Sequence, residues 1–144
     1  MRIKNTDIVM KRVLFTFLFL VSFLCVGVAQ TCRNQNNMTI GKIESDGTVR
    51  NSSNKKIGSF DRYRIMRNAS NMKVGSIDGS TIRDKTNKKI GSIESNGTVR
   101  DAHNKKIGSV ESNGTIREGS NKKIGSVTGV NRTYAAVFYF FNMF

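Results

Sequence analysis

The stretch IGSIESNGTVRDAHNKK, Ile90–Lys106, is followed at once by IGSVESNGTIREGSNKK, Ile107–Lys123. Both begin with an Ile-Gly pair, carry Asn-Gly-Thr at the centre and end in two lysines. Aligning the chain on its Ile-Gly or Val-Gly pairs gives starts at Ile40, Ile57, Val74, Ile90, Ile107 and Ile124. The chain therefore contains five full repeats and the opening of a sixth, which indicates a repeat architecture.

Each repeat predicts a β-hairpin. SIE and TVR are short alternating segments, and the SNG or SDG between them suits a three-residue loop that ends in a left-handed glycine and a bulge. This loop pairs Ile93 with Val99 on one face and Glu94 with Thr98 on the other. Gly47, Gly97 and Gly114 are the predicted turn glycines.

A second turn, DAHN, connects TVR to KKIGS. We expect the Asp101 side chain to cap this turn and Asn104 to adopt a positive φ. Ile90 and Ile93 are three residues apart, which places them on opposite faces of a regular strand. Either Gly91 forms a bulge that turns both inward, or one of them faces elsewhere.

Ten such strands joined by tight turns predict an all-β antiparallel meander, which leaves two sticky edges unless it closes. Ile124–Val127 is placed to complete the ring, so we assign residues 40–144 to one pseudo-five-fold shallow barrel. The repeats supply a thin core, whereas the end of the chain, TYAAVFYFFNMF at 133–144, is rich in aromatic residues. An exposed segment of this kind would aggregate or seek a membrane, so we expect it to fill the barrel centre, as a strand or as a helix.

Residues 1–29 have the pattern of a secretory signal peptide. Basic residues precede the apolar run 13–28, and small residues suit cleavage between Ala29 and Gln30. Met10 would be a more ordinary start than Met1. We expect an exported bacterial protein, whether periplasmic, on the outer surface or secreted, in which residues 30–39 form an N-terminal linker.

Charge is the most informative feature of the repeat. The chain has 24 Lys and Arg against 10 Asp and Glu, a net charge of +14. Fifteen of the twenty Lys and Arg after residue 29 lie in or beside the turns of the RDAHNKK type, with only three acidic residues. In an up-and-down barrel these turns share one end, which predicts a basic rim for anionic surfaces. The candidate rim residues are Lys55, Lys56, Lys73, Lys88, Lys89, Lys105, Lys106, Lys122, Lys123, Arg50, Arg67, Arg83, Arg100 and Arg117.

The sequence offers no catalytic constellation. The single histidine, His103, lies in a turn, and Cys32 is the only cysteine after residue 29. These cannot form an ordinary zinc site or an internal disulfide, and no base accompanies the hydroxyls of the turns. We assign Glu44, Glu94 and Glu111 to solvation of the outer face. We predict no enzyme, no cofactor, no metal and no small-molecule substrate.

The repeated IGSIESNGTVRDxxNKK unit, five copies after a signal peptide and before an Ala- and Phe-rich end, resembles the bacterial five-fold β-flower proteins. The match covers Ile40 to Phe144. The resemblance implies a shallow pseudo-five-fold barrel, with a suggested likeness to tubby-type barrels that hold a hydrophobic segment and bind membrane lipid. The second repeat, IGSFDRYRIMRNASNMK, lacks the turn glycine and one lysine, so it departs from five equivalent units.

Three functional classes are compatible with these observations. The first is a non-enzymatic secreted module that docks its basic rim on anionic lipid or glycan. The second is a structural or scaffold protein whose lysines only keep strand ends soluble. The third is a binder of nucleic acid or another polyanion, which secretion and the scarcity of aromatic residues among the basic ones disfavour. The sequence predicts no oligomeric state.

Overall fold

A computed structural model describes residues 30–144 as a closed antiparallel barrel of twelve strands followed by one helix. The strands are β1 (Thr31–Asn34), β2 (Thr39–Ile43), β3 (Thr48–Asn51), β4 (Lys56–Phe60), β5 (Ile65–Asn68), β6 (Lys73–Asp78), β7 (Thr81–Asp84), β8 (Lys89–Ile93), β9 (Thr98–Asp101), β10 (Lys106–Val110), β11 (Thr115–Glu118) and β12 (Lys123–Thr128), and the helix is α1 (Arg132–Phe140). Every strand pairs with its neighbours in sequence, and β12 pairs with β1 to close the barrel. The predicted signal peptide lies outside the described residues.

The closed all-β barrel confirms the predicted fold class, but the number of units differs from the prediction. Six related hairpins are present rather than five, because β1 and β2 form a hairpin of their own. Residues 31–34 belong to the segment expected to be a linker, and that expectation was wrong. TCRNQNNMTIG, which includes β1, matches TVRNSSNKKIG of the next unit at Thr, Arg, two Asn and Ile-Gly.

The hairpin loops have the predicted register. Ile93 pairs with Val99, the Glu94 N–H donates to the Thr98 carbonyl at 2.8 Å, and Gly97 has a φ of +92°. The second and third repeats keep this pairing register with different loops. Arg64 takes the left-handed conformation in place of glycine, and the third repeat uses a two-residue loop between Asp78 and Thr81.

The second kind of turn, which includes DAHN and lies at the other end of the strands, is uniform. In the fifth hairpin the Asp101 carboxylate accepts the backbone N–H groups of His103 and Lys105, each at 2.9 Å, and Asn104 has a φ of +67°. Both features were predicted. The left-handed asparagine recurs in all six turns, at Asn37, Asn54, Asn71, Asn87, Asn104 and Asn121.

A β-bulge in each unit explains the odd spacing of the isoleucines. Ile82 pairs with Gly91 and Arg83 with Lys89, so Ile90 is the extra residue. The bulge lies at Ile90 rather than at Gly91, and it leaves Ile90 half-buried against the core while Gly91 and Ile93 both face inward. The bulge expected at Gly91 thus lies one residue earlier, and it lets Ile90 pack against the core although only Ile93 is fully buried.

The C-terminal segment is a helix that fills the barrel. The Asn131 side chain caps its start by accepting the N–H groups of Thr133 and Tyr134. Ala135, Ala136 and Val137 are fully buried. The prediction that the tail belongs to the core is confirmed, and the choice between strand and helix is settled as a helix over Arg132–Phe140 followed by a short irregular end.

Six glycines on the inner wall, one from each Ile-Gly or Val-Gly pair, receive six side chains of this segment, which we call the plug (residues 132–144). A Cβ on each glycine would collide with one plug side chain and with a strand carbonyl. At Gly41, for example, it would lie 2.7 Å from Cζ of Phe138 and 2.6 Å from the Arg50 carbonyl oxygen. The contacts are Gly41 with Phe138, Gly58 with Phe144, Gly75 with Met143, Gly91 with Phe141, Gly108 with Phe140 and Gly125 with Tyr139.

Tyr139 also fastens the closure of the barrel. Its hydroxyl lies 2.6 Å from the carbonyl oxygen of Arg33 and 3.0 Å from that of Ser126, which are paired residues of β1 and β12. Burial raises the pKa of this phenol far above its ordinary value, and the nearby Cys32 thiol adds to the effect. The hydroxyl therefore stays protonated and donates to the seam between the first and last strands.

Candidate anionic-surface site

The two ends of the barrel are chemically different because alternate turns of an up-and-down barrel lie at opposite ends. We call the end that carries the turns 34–38, 51–55, 68–72, 84–88, 101–105 and 118–122 the lysine end. We call the other end, with the turns 44–48, 61–65, 78–81, 94–98 and 111–115, the far end. All nine lysines of the predicted rim belong to the lysine end, in its turns or at the first residue of the strand that follows.

These lysines take no part in the side-chain ion pairs of residues 30–144. All of them are exposed except Lys89, which is half-buried. Among residues 30–144 the side-chain ion pairs are formed by arginines, and none involves a lysine. One further exposed lysine, Lys85 at the tip of the fourth turn, was not among the predicted rim residues. It could have been found by noting that the equivalent positions of the other turns are small or polar surface residues.

The five predicted rim arginines have a different role. Arg100 donates through Nε to the Glu94 carboxylate at 2.5 Å and through a terminal nitrogen to the Asn104 carbonyl at 3.2 Å. The same carbonyl contact is made by Arg33, Arg50, Arg67, Arg83 and Arg117 to the left-handed asparagine of each turn, over 3.0–3.2 Å. These arginines hold the turns in shape and are only about 30% exposed where they pair with acids. The structure thus separates the candidate rim into presented lysines and structural arginines.

The glutamates assigned to solvation of the outer face are 37–40% exposed and also have a partner. Glu44, Glu94 and Glu111 each accept Nε–H of the arginine six residues later, at 2.5–2.8 Å. Their carboxylates are therefore partners on the outer wall rather than isolated solvating groups. These acids lie on the outer wall towards the far end, so within the lysine end the lysines are offset only by the three turn acids Asp84, Asp101 and Glu118.

The predicted turn glycines shape the far end of the barrel. Gly47, Gly97 and Gly114 have φ values of +88°, +92° and +85°. Each also lies directly against a carbonyl of the next hairpin, at Phe60, Val110 and Val127, where a Cβ would not fit. Their carbonyl oxygens accept the N–H groups of those same residues at 2.8–2.9 Å. The glycines therefore join consecutive hairpins at the far end.

The plug enters the barrel from the far end. Arg132, the first helical residue, donates to the Ser95 carbonyl at 2.9 Å, and its side chain lies over Gly97. Two open grooves of about 410 and 400 Å³ flank this arginine. Nine helical residues rise about 13.5 Å, and Phe138–Phe144 contact the six wall glycines, further from the far end than Arg132.

The two residues considered for chemistry lie apart. His103 is exposed in a turn of the lysine end, and Cys32 is buried in β1, where burial raises the pKa of its thiol to about 12. Within residues 30–144 no three His, Cys, Asp or Glu side chains come together closely enough to hold a metal ion. No helix in that part of the chain has the length and apolar character required to cross a bilayer.

Comparison with known proteins gives one match. A family model described as 5-fold beta-flower protein matches residues 29–143. No curated protein sequence and no solved structure matched the chain. The family match spans the whole barrel and nearly all of the plug, and on this basis the chain belongs to the 5-fold beta-flower protein family.

Proposed function

We propose that this protein, once exported, docks its lysine end on an anionic surface of lipid headgroups or acidic glycan and has no enzymatic activity. The observation that supports the proposal is that the arginines and the lysines make different contacts. Within residues 30–144 arginines form the ion pairs and the turn contacts, whereas the ten lysines in and beside the turns of one end form no ion pair and nine of them are exposed. A side chain needed only for the fold would be expected to contact the fold.

The expected strength follows from the number of charges in one plane. Each Lys near an anionic membrane contributes on the order of 1 kcal/mol. If six of the ten engage together, the sum of about 6 kcal/mol corresponds to a Kd of roughly tens of micromolar. No specific pocket is required for such binding, which should weaken steeply with salt because exposed charges are screened over about 8 Å at physiological ionic strength.

The test replaces Lys88, Lys89, Lys105, Lys106, Lys122 and Lys123 with Gln in the exported protein, whose mass should show a chain that starts at Gln30. Folding should be nearly unchanged because these side chains make no ion pair within residues 30–144. Sedimentation with anionic vesicles at low salt should fall to background, and wild-type binding should disappear as salt is added. Wild type that ignores both anionic vesicles and acidic glycan would overturn the proposal.

Two other roles are outcomes of the same experiment. A variant that binds as well as wild type would favour a scaffold whose lysines are passive. Duplex DNA that displaces the protein from vesicles at lower charge concentration than anionic lipid does would favour a nucleic-acid binder.

A further inference from the structure

The lysine end carries two exposed methionines among its lysines. Met38 and Met72 are 58% and 61% exposed, and apart from Tyr63 at the far end they are the exposed large apolar side chains of residues 30–144. Each occupies the turn position that holds Lys55, Lys88, Lys105 or Lys122 in the other units. The backbone contact is the same, since the carbonyl oxygens of Met38, Met72 and Lys55 accept the N–H of the first turn residue at 2.9–3.0 Å.

Apolar surface also lies behind these side chains. The bulge residues, such as Ile90 and Ile107, are half-buried just inside the lysines. Phe140, Phe141 and Phe144 of the plug are also half-buried, and Ala135–Val137 fill the barrel on the far-end side of them. The bulge isoleucines, each next in sequence to a lysine, therefore place apolar surface beside the charges of this end.

We infer that the surface docked by the lysine end is an anionic phospholipid bilayer and that Met38 and Met72 enter its interfacial region. This inference rests on the proposed function and narrows its ligand to lipid. A glycan or nucleic acid offers charge but no apolar phase, so two exposed methionines would gain nothing there. A bilayer stabilises binding through both features, because its anionic headgroups attract the lysines and its interior buries apolar area of the methionines. A second copy of the chain is a poor occupant, because ten lysines would face ten lysines.

The methionines also predict a tilted contact. The first three turns, 34–38, 51–55 and 68–72, carry both methionines and, with the strand starts that follow them, three lysines. The other three carry seven lysines on the same count. The last three turns also carry the three acids of this end, Asp84, Asp101 and Glu118, so their lysines and acids sum to +4 against +3 for the first three. The tilt therefore follows from the position of the methionines, because net charge is spread over both sides of the lysine end.

The chain contains no tryptophan, so a single introduced indole reports its own surroundings. We would prepare Met38→Trp, Met72→Trp and, as the matched far-end control, Tyr63→Trp, since Tyr63 is 68% exposed in the turn 61–65. With vesicles of phosphatidylglycerol and phosphatidylcholine, the two lysine-end indoles should shift to shorter wavelength and be quenched by brominated lipid chains. The Tyr63→Trp signal should not change. Inorganic polyphosphate, a polyanion without an apolar phase, should leave all three spectra unshifted.

A binding measurement complements the spectra. Met38→Gln with Met72→Gln should weaken binding to the same vesicles by roughly tenfold, as partial burial of two such side chains implies, while binding to polyphosphate stays at the wild-type level. Vesicle binding that leaves the indoles of Met38→Trp and Met72→Trp unshifted and unquenched would refute the inference and leave the proposed function standing. Absence of binding to both vesicles and polyphosphate would refute both. A shift without vesicles that grows with protein concentration would assign this end to self-association instead.

Discussion

The lysine end and the far end are made by the same twelve strands, yet they follow different rules. The six turns of the lysine end share one length and one left-handed asparagine, whereas the far end uses glycine, Arg64 or a two-residue loop for the same reversal. The plug enters among the variable turns and reaches towards the uniform ones. The comparison teaches that the repeat keeps the geometry of the lysine-end turns constant while their side chains vary, whereas at the far end the loop geometry itself varies.

The largest effect should come from removing the plug, which both ends share. Deletion of Ala135–Phe144 strips the side chains from all six wall glycines and removes three fully buried residues. At about 25 cal/mol per Å² of buried apolar area, the free energy gained from even half of that burial exceeds the few kcal/mol by which a small domain is stable. We expect no cooperative melting by circular dichroism. Asn142→Gly, at an exposed position with φ of +44°, is the control that should melt normally, and a truncated chain melting at the full-length temperature would disprove the plugged barrel.

Gly108→Ala should destabilise the barrel by about 1–3 kcal/mol, the usual cost of overfilling a packed core. Its Cβ would meet the Phe140 ring and the Arg117 carbonyl. Gly119→Ala is the matched control in a lysine-end turn, because its nearest atom would lie at 3.2 Å and the equivalent position of the fifth hairpin is Ala102. Urea denaturation that found equal losses in the two variants would mean that the glycines do not make room for the plug.

Cys32→Val should differ from wild type in the pH dependence of its free energy of unfolding, and only above about pH 9. Burial holds the thiol neutral up to about pH 12, from an ordinary pKa of 9.0. The unfolded chain releases this proton above pH 9, so wild type should lose about 1.4 kcal/mol per pH unit between pH 9 and 12 from this group. The valine of β3 and β9 at the same position, Val49 and Val99, indicates that Cys32→Val will fit. Parallel stability curves for the two proteins from pH 8 to 11 would contradict the buried, neutral thiol.

Arg64→Gly should have the smallest effect and raise stability by about 1 kcal/mol. A non-glycine residue in the left-handed region costs roughly 1–2 kcal/mol, part of which glycine returns as unfolded-state entropy. Arg64 has a φ of +60° where Gly47, Gly97 and Gly114 stand in other units. A higher midpoint of urea denaturation would show that the far end tolerates backbone strain at Arg64. A lower midpoint would instead indicate a stabilising contact of the arginine side chain.

Local chemistry explains which features the sequence could predict. Gly97, Asp101 and Asn104 occur where turn geometry demands them, so loop length, register and capping followed from the repeat alone. The alternating pattern also placed Val99 and Ile93 inside. These features depend on neighbours a few residues apart, which a repeated sequence displays several times over.

The remaining features depend on contacts distant in sequence. The first hairpin was missed because Cys32, Met38 and Thr39 replace the valine and lysines that mark the other units. The helix of the plug was left open because its aromatic residues suit a strand as well, and the helical form is set by the barrel around it. The split between lysines and arginines depends on distances between side chains, since both types carry the same charge in the sequence.

The most direct test of the account compares two variants with the same net charge. One carries Lys88→Gln, Lys105→Gln and Lys122→Gln at the lysine end. The other carries Ser45→Glu, Ser95→Glu and Ser112→Glu, three exposed, equivalent positions of the far end. If the lysine end faces the membrane, the first variant should bind anionic vesicles roughly a hundredfold more weakly than wild type, at about 1 kcal/mol per lysine, and the second nearly as well as wild type. Equal losses in the two variants would show that total charge alone governs binding and would contradict the account.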